Sequence, residues 1–162
     1  MGVDIKAYKL RKYLGAKYNN EMLESNCKAR RIFSMNFHPI HHLTKFEDGF
    51  YETEYLYSPE FSMPYSCYND FRRKISIMVH GVNPVVIWDN IDDYVGKHFV
   101  EFINFADNEG SFDYVVADKL YKDFSEFKEK AKKDIPEYYN SYCNYMEILK
   151  AASENKGVVY YS

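Results

Sequence analysis

The chain has 162 residues, of which 46% are hydrophobic and 28% charged, and its formal net charge is −3. This length predicts one domain, residues 1–162, that is large enough to bury a core. The composition excludes a disordered, collagen-like or coiled-coil protein. With 21 basic and 24 acidic residues, the chain has no overall positive field that would attract duplex nucleic acid.

The location is predicted from apolar runs and cysteines. No apolar stretch approaches the ~20 residues that span a membrane, and the first residues lack the apolar run of a signal peptide. The three cysteines are widely spaced and odd in number, which argues against a disulfide framework and for a reducing compartment. We therefore expect a cytoplasmic protein without a membrane partner.

The first third of the chain is typical of strands joined by loops. Alternation of apolar and polar residues predicts a strand over 2–10. Residues 18–31 are polar and favour a loop or one weak helix, and 32–37 favour a short strand. Residues 38–49 then form a loop that ends at an Asp-Gly pair. The aromatic segment 50–57 alternates with glutamates and predicts another strand.

The middle of the chain changes to a helical period. Pro59 and Pro64 bound a loop, after which apolar residues recur at helical spacing over 67–80. Ser66 is the expected N-cap and Gly81 the expected stop. The apolar run at 84–88 indicates a buried strand or the start of a helix, and the acidic stretch 89–97 a loop or one helical turn.

The last third predicts a strand, two helices and a closing strand. Residues 99–105 are predicted as a buried strand, followed by a turn at 106–110. Apolar stripes indicate helices over 114–132 and from Pro136 to about residue 155, and 158–161 is a strand. The predicted class is α+β, with a small, mostly antiparallel sheet packed against about three helices.

A first group of candidate residues stands at the start of the predicted helix 67–80. Spacings of three or four positions place them on one side of the helix. Backbone N–H groups at a helix start favour an anion, arginine can hold phosphate with two hydrogen bonds, and tyrosine can stack on a base. The alternative is a core tyrosine, a capping asparagine and solvated arginines. The group comprises Tyr65, Tyr68, Asn69, Arg72 and Arg73.

A second candidate is the turn Asp107-Asn108-Glu109-Gly110. Two carboxylates two positions apart could bind a divalent cation or a ligand hydroxyl, or act as acid and base if burial separated their pKa values. The alternative is a helix-entry turn that uses Asp and Asn for local hydrogen bonds. A third cluster, His38, His41 and His42, could ligate zinc, but its spacing favours a solvated loop, and we expect no metal.

Several segments also resemble a family of small uncharacterised proteins from bacteria and their phages. The family begins MGxDIxAY, carries SYxxYNx[FW]R and F[SA]DxEG motifs, and ends AxxxGxVx[FY]. The corresponding segments here are MGVDIKAY (1–8), PYSCYNDFRR (64–73), FINFADNEGSF (102–112), KLYKDF (119–124) and MEILKAASENKGVVYYS (146–162).

This resemblance marks positions and implies no chemistry, because no activity is established for the family. Residues 18–48 do not match it, and Asn108 occupies a variable position of its motif. The marked positions, which add Tyr8 to the candidates, are Asp4, Tyr8, Tyr65, Tyr68, Asn69, Arg72, Asp107, Glu109 and Gly110.

The expected function is non-catalytic capture of an anionic small molecule, with a nucleotide as the favoured class and no cofactor. By its resemblance to phage proteins, the chain would sequester a host defence signal. One alternative is a hydrolase for a phosphorylated or glycosidic ligand that acts through Asp107 and Glu109; another is an inhibitor that binds a host protein through exposed tyrosines. A homodimer is the default oligomer. The expected ligand-binding residues are Tyr8, Tyr65, Tyr68, Asn69, Arg72, Arg73, Asp107 and Glu109.

Overall fold

The computed structural model describes residues 1–17, 19–34, 43 and 45–162, and it confirms the α+β class. The strands are β1 (Gly2–Gly15), β2 (Ala29–Ile32), β3 (Gly49–Pro64), β4 (Gly110–Asp113) and β5 (Val158–Tyr161). The helices are α1 (Asn20–Ser25), α2 (Tyr65–His80), α3 (Pro84–Asp89), α4 (Ile91–Tyr94), α5 (Val100–Asn104), α6 (Tyr114–Glu126), α7 (Lys128–Asp134) and α8 (Tyr139–Glu154), with a 3-10 helix at Pro136–Tyr138. In the described ranges, no helix is both long and apolar enough to span a membrane.

The five strands form one antiparallel sheet in the order β2-β3-β1-β5-β4. The long strands β1 and β3 pair at its centre. Their register shifts between the pairs Ile5↔Phe61 and Ala7↔Leu56, so β3 carries extra residues at 57–60 in a bulge. A bulge bends its strand and increases the local twist.

The sheet is curled so that its two edges come close together. The backbone N–H of Ser111 in edge strand β4 donates to the carbonyl of Phe33, which directly follows the opposite edge strand β2, at 2.9 Å. Near the same edge, the backbone N–H of Lys45 donates to the Asp113 carboxylate at 3.0 Å. Phe33, next to β2, and Lys45, before β3, therefore both contact β4.

The two faces of the sheet bury different clusters. Ile5 and Ala7 point into the main core, which the sheet forms with the helices. Because side chains alternate along a strand, Tyr8 points to the opposite face. There it is buried with Ile32 and Val158 in a second, smaller cluster.

The main core contains three buried tyrosines whose hydroxyls bond to one another. The Tyr161 hydroxyl lies 3.1 Å from that of Tyr68 and 2.6 Å from that of Tyr145. All three side chains are almost completely buried. The hydrogen bonds satisfy polar groups that would otherwise destabilise the core, because an unpaired buried hydroxyl costs about 1–3 kcal/mol.

The predicted strand over 99–105 is wrong, because Val100–Asn104 forms helix α5. Residues 100–103 are all buried, and the helix has only five residues, too few for a helical period to be recognised in the sequence. The backbone N–H of Phe99 donates to the Asp123 carboxylate at 2.9 Å, which fixes the turn before the helix.

Other predicted boundaries also need correction. Strand β3 continues past Pro59, which stands in the bulge, where proline is tolerated. Ser66 is not the N-cap of α2, which begins at Tyr65 without a side-chain cap. The predicted helix 114–132 is interrupted at Phe127, whose ring packs against other core rings.

The short strand predicted over 32–37 lies earlier, at Ala29–Ile32, and residues 35–37 are outside the described part of the chain. The weak helix expected within 18–31 is α1. The run 84–88 belongs to helix α3, and the single turn within 89–97 is α4. The closing strand over 158–161 is confirmed.

The tyrosine hydroxyls of the core are expected to stabilise the fold. Replacing Tyr161 by Phe removes the hydroxyl that joins Tyr68 and Tyr145, and it should lower the free energy of unfolding by about 1–3 kcal/mol. Urea denaturation measures this change. Tyr57→Phe, at a side chain that is 91% exposed, is the matched control and should change the value by less than about 0.5 kcal/mol. Equal effects of the two substitutions would contradict the role of the buried hydroxyl.

Stability should also fall in alkali. Burial raises the pKa of Tyr68 from 10.0 to about 12, and it also raises the pKa values of Tyr145 and Tyr161 well above 10.0. Above pH 10.0 the unfolded phenols lose protons that the folded ones keep, so the free energy of unfolding decreases as the pH rises through about 12. Urea midpoints across this range measure the decline. Tyr161→Phe, with one buried phenol fewer, should show a shallower decline.

Candidate functional site

The start of α2 and the turn after α5 meet in the structure. The side-chain amide of Asn69 donates to the Asp107 carboxylate at 2.8 Å. The Arg72 guanidinium donates to the backbone carbonyl of Phe105 at 2.6 Å and also to the Asn69 side-chain oxygen. Residues 65–73 and 107–110, which are far apart in the sequence, are thus joined by side-chain hydrogen bonds.

This junction leaves little space for a ligand. The cavity beside it has a volume of about 260 Å³ and is lined by Arg72, Trp88 and residues 104–108. Ligand pockets usually measure about 300–1,000 Å³. Arg72 is only 7% exposed, and its guanidinium lies 5.3 Å from the centre of the Trp88 ring. Arg72 therefore connects α2 to the turn that follows α5. The structure does not form the predicted nucleotide cradle here.

The other residues of that predicted group point elsewhere. Tyr68 is completely buried and cannot stack on a base, which corrects its predicted role and agrees with the core alternative. Tyr65 is half-buried and packs against the main core. Arg73 donates to the Asp70 carboxylate at 2.5 Å and lines a different surface, between α2 and α7.

Asp107 and Glu109 affect tyrosines on opposite faces of the sheet. Burial raises the pKa of Tyr68, a residue of the main core, and Asp107 adds to this increase. Burial also raises the pKa of Tyr160, and Glu109 adds to that increase while Arg30 opposes it. Tyr160 belongs to the second cluster. Asp107 also lines the small cavity beside Arg72, whereas Glu109 is not among its lining residues, so this cavity does not hold both carboxylates of an acid–base pair.

A larger cleft lies between β1, β2 and β3, next to the second cluster. Its volume is about 750 Å³, within the usual range for small-molecule sites. Tyr8, a predicted ligand-binding residue, contributes to its wall. The lining residues are Ile5, Lys6, Tyr8, Arg11, Cys27, Lys28, Arg30, Glu52, Thr53, Glu54, Tyr55, Ser58, Pro59 and Glu60.

Arg30 is held rigidly in this cleft. The carbon at the centre of its guanidinium lies 4.4 Å from the centre of the Tyr8 ring, a cation–π contact. Its Nη1 donates to the Thr53 hydroxyl at 2.9 Å and to the Lys28 carbonyl at 3.5 Å. The Thr53 hydroxyl itself donates to the Lys28 carbonyl at 2.8 Å. Among the described residues, the Nε and Nη2 edge has no hydrogen-bond partner.

The charges of the cleft are incompletely compensated. Four basic and three acidic side chains line it, and Arg11 pairs with Glu54 at the exposed rim. Within the described residues, no ion pair joins Lys6, Lys28 or Arg30 to a carboxylate. Lys6, Lys28 and Arg30 are therefore available to bind an anion.

A buried hydroxyl adds a second signal of an occupant. Ser58, in the bulge of β3, is 7% exposed, and its Oγ lacks a hydrogen-bond partner in the part of the chain that the structure describes. Its carbonyl accepts a hydrogen bond from the Tyr55 hydroxyl at 3.3 Å. Buried hydroxyls are usually bonded, and this one belongs to a residue that lines the cleft and also the surface beside α8.

No local sequence pattern indicated Arg30, the residue of this cleft with the most contacts to its neighbours. Arg30 lies in the short strand β2, inside a segment that sequence patterns assigned to a loop or weak helix. Tyr8 was named as a candidate only through the resemblance to a family. The His38, His41 and His42 cluster lies outside the described residues. Among those described, no three His, Cys, Asp or Glu side chains are grouped to hold a metal ion.

Comparison with protein-family models, with curated proteins and with solved structures finds no match to this chain. The interpretation of the cleft therefore depends on its own geometry.

Arg72 and Arg73 should differ strongly when each is replaced by alanine. Arg72→Ala removes the two hydrogen bonds that the buried guanidinium donates to the Phe105 carbonyl and the Asn69 side chain, and it should lower the free energy of unfolding by about 2–3 kcal/mol. Arg73→Ala removes only an exposed ion pair and should cost less than about 1 kcal/mol. Urea denaturation of both variants tests this difference, which would be absent if Arg72 were a solvated ligand-binding residue.

Proposed function

We propose that this protein binds an anionic small molecule, with a nucleotide as the expected class, in the cleft between β1, β2 and β3, and does not convert it. The observation that carries the proposal is Arg30, held by Tyr8 and Thr53 with one edge of its guanidinium open. Such an edge suits the two oxygens of a phosphate or carboxylate, because the hydrogen bonds are charge-assisted and parallel.

The surroundings of Arg30 support a bound anion. Lys6 and Lys28 line the same cleft without an ion pair to a described carboxylate, so an incoming anion does not have to displace an existing partner. Tyr8 and Tyr55 supply apolar contact next to the charges. Small-molecule sites commonly combine aromatic walls with a few fixed polar groups.

The alternatives receive less support from the geometry. A hydrolase acting through Asp107 and Glu109 needs both carboxylates at one site, whereas Asp107 lines the small cavity beside Arg72 and Glu109 is not among the residues that line it. An inhibitor of a host protein needs a cluster of exposed tyrosines on a flat or convex surface. Tyr57 is 91% exposed, but its neighbour Tyr55 lines the concave cleft together with the buried Tyr8. Sequestration of a host signal and a homodimer stay predictions.

The proposal is tested by isothermal titration calorimetry with nucleotides, sugar phosphates and inorganic phosphate. Arg30→Ala should weaken binding by about 10- to 100-fold, because it removes hydrogen bonds between charged groups. Arg73→Ala makes the same charge change on another surface and should leave the affinity unaltered. Absence of binding by every anion, or equal loss in both variants, would contradict the proposal.

A second measurement addresses turnover. The ligand is incubated with the protein, released by denaturation and analysed by chromatography. A binding protein returns the ligand intact, while the hydrolase alternative predicts a product that increases with time and disappears in Asp107→Asn.

A further inference from the structure

We infer that the cleft is selective for nucleoside monophosphates, that is, for one phosphoryl group attached to a sugar and a flat base. This inference rests on the proposed function and adds the ligand class and its orientation. Its elements are the open edge of Arg30, the charge of the cleft wall, the exposed ring of Tyr55 and the unpaired hydroxyl of Ser58.

The phosphoryl group is assigned to Arg30. Nη1 is occupied by the Thr53 hydroxyl and the Lys28 carbonyl, so Nε and Nη2 can donate in parallel to two phosphate oxygens. Thr53 is a positioning residue, since its hydroxyl fixes the plane of the guanidinium. Lysine at position 30 would keep the charge but lose the planar pair of donors.

The wall charge favours a single phosphoryl group. Four basic side chains face three acidic ones, which leaves one excess positive charge. A phosphate monoester carries about −1.5 to −2 charge at neutral pH. Further phosphoryl groups would add negative charge beside Glu52, Glu54 or Glu60, and like charges at short range repel. The cleft therefore matches a monophosphate better than a triphosphate.

The base is assigned to Tyr55. One face of the Tyr8 ring is already covered by Arg30, and that ring is 5% exposed. Tyr55 is 49% exposed, meets Tyr8 edge to face at 5.9 Å between ring centres, and lines the same cleft. An aromatic ring of this kind provides a surface on which a base stacks.

The sugar or base edge is assigned to Ser58. Ser58 lines the cleft beside Tyr55, and its buried hydroxyl lacks a partner among the described residues. A hydroxyl both donates and accepts, so it can bond to a ribose hydroxyl or to a polar atom of the base. This bond would remove the cost of an unsatisfied buried group.

The experiment compares ligands on the unmodified protein by calorimetry at one ionic strength. The tightest binder among AMP, GMP, CMP and UMP is measured against its own triphosphate, its own nucleoside and ribose 5-phosphate. We expect the monophosphate to bind about 10-fold or more tightly than the nucleoside, which lacks the phosphate, and than ribose 5-phosphate, which lacks the base. It should also bind more tightly than the triphosphate.

Variants test each assignment separately. Tyr55→Ala should lower the affinity for the monophosphate about 10-fold without changing that for ribose 5-phosphate. The matched control is Tyr57→Ala, a side chain that is 91% exposed and does not line the cleft. Glu60→Gln should raise the affinity for the triphosphate relative to the monophosphate. Arg30→Lys should resemble Arg30→Ala.

The outcomes separate this inference from the proposed function. If anions bind through Arg30 but the triphosphate or ribose 5-phosphate binds as tightly as the monophosphate, the selectivity is wrong and the binding function stands. The same holds if Tyr55→Ala and Tyr57→Ala are equivalent. If none of the anions binds, or if the affinity is the same in Arg30→Ala as in the unmodified protein, the proposed function itself fails.

Discussion

The alternation of side chains along β1 is the constraint on which both faces of the molecule depend. This strand lies at the centre of the sheet and pairs with β3 and β5. Ile5 and Ala7 enter the main core, while Lys6 and Tyr8 face the cleft. A slip of one residue in the register would exchange the two sets. The bulge at residues 57–60 of β3 absorbs the register shift, so β1 and β3 stay paired on both sides of it. The bulge also contributes Ser58 to the cleft wall.

The tyrosines of this chain have two distinct roles. In the main core, Tyr68, Tyr145 and Tyr161 combine large apolar rings with hydroxyls that bond to one another. Around the cleft, Tyr8 and Tyr55 present rings to a polar, partly solvated space. The first role explains why Tyr68 cannot recognise a ligand, and the second explains how an aromatic-rich sequence can still form a charged cleft.

The sequence predicted those elements whose two sides differ in polarity. Helices α2 and α6 have one apolar stripe, and strand β1 alternates, so periodicity identified them. Helix α5 has only five residues, too few to show a helical period, and it resembled a strand for that reason. Strand β3 was cut short because proline usually ends a strand, whereas here a bulge accommodates Pro59.

The site was predicted less well because its residues come together through tertiary structure. Asn69 and Asp107 do meet, as the two motifs suggested, but the contact is used for packing. The position of the Arg30 guanidinium is set by Tyr8 in β1, Thr53 in β3 and the Lys28 carbonyl in the turn before β2. No spacing within one segment encodes such a contact.

The curled sheet also has a consequence for association between copies. An exposed strand edge invites pairing with another chain and can lead to aggregation. Here β4 is only four residues long, and the N–H of Ser111 is already bonded to the carbonyl of Phe33. The fold thereby protects this edge from intermolecular strand addition, and self-assembly at β4 would first require Phe33 and Lys45 to move away.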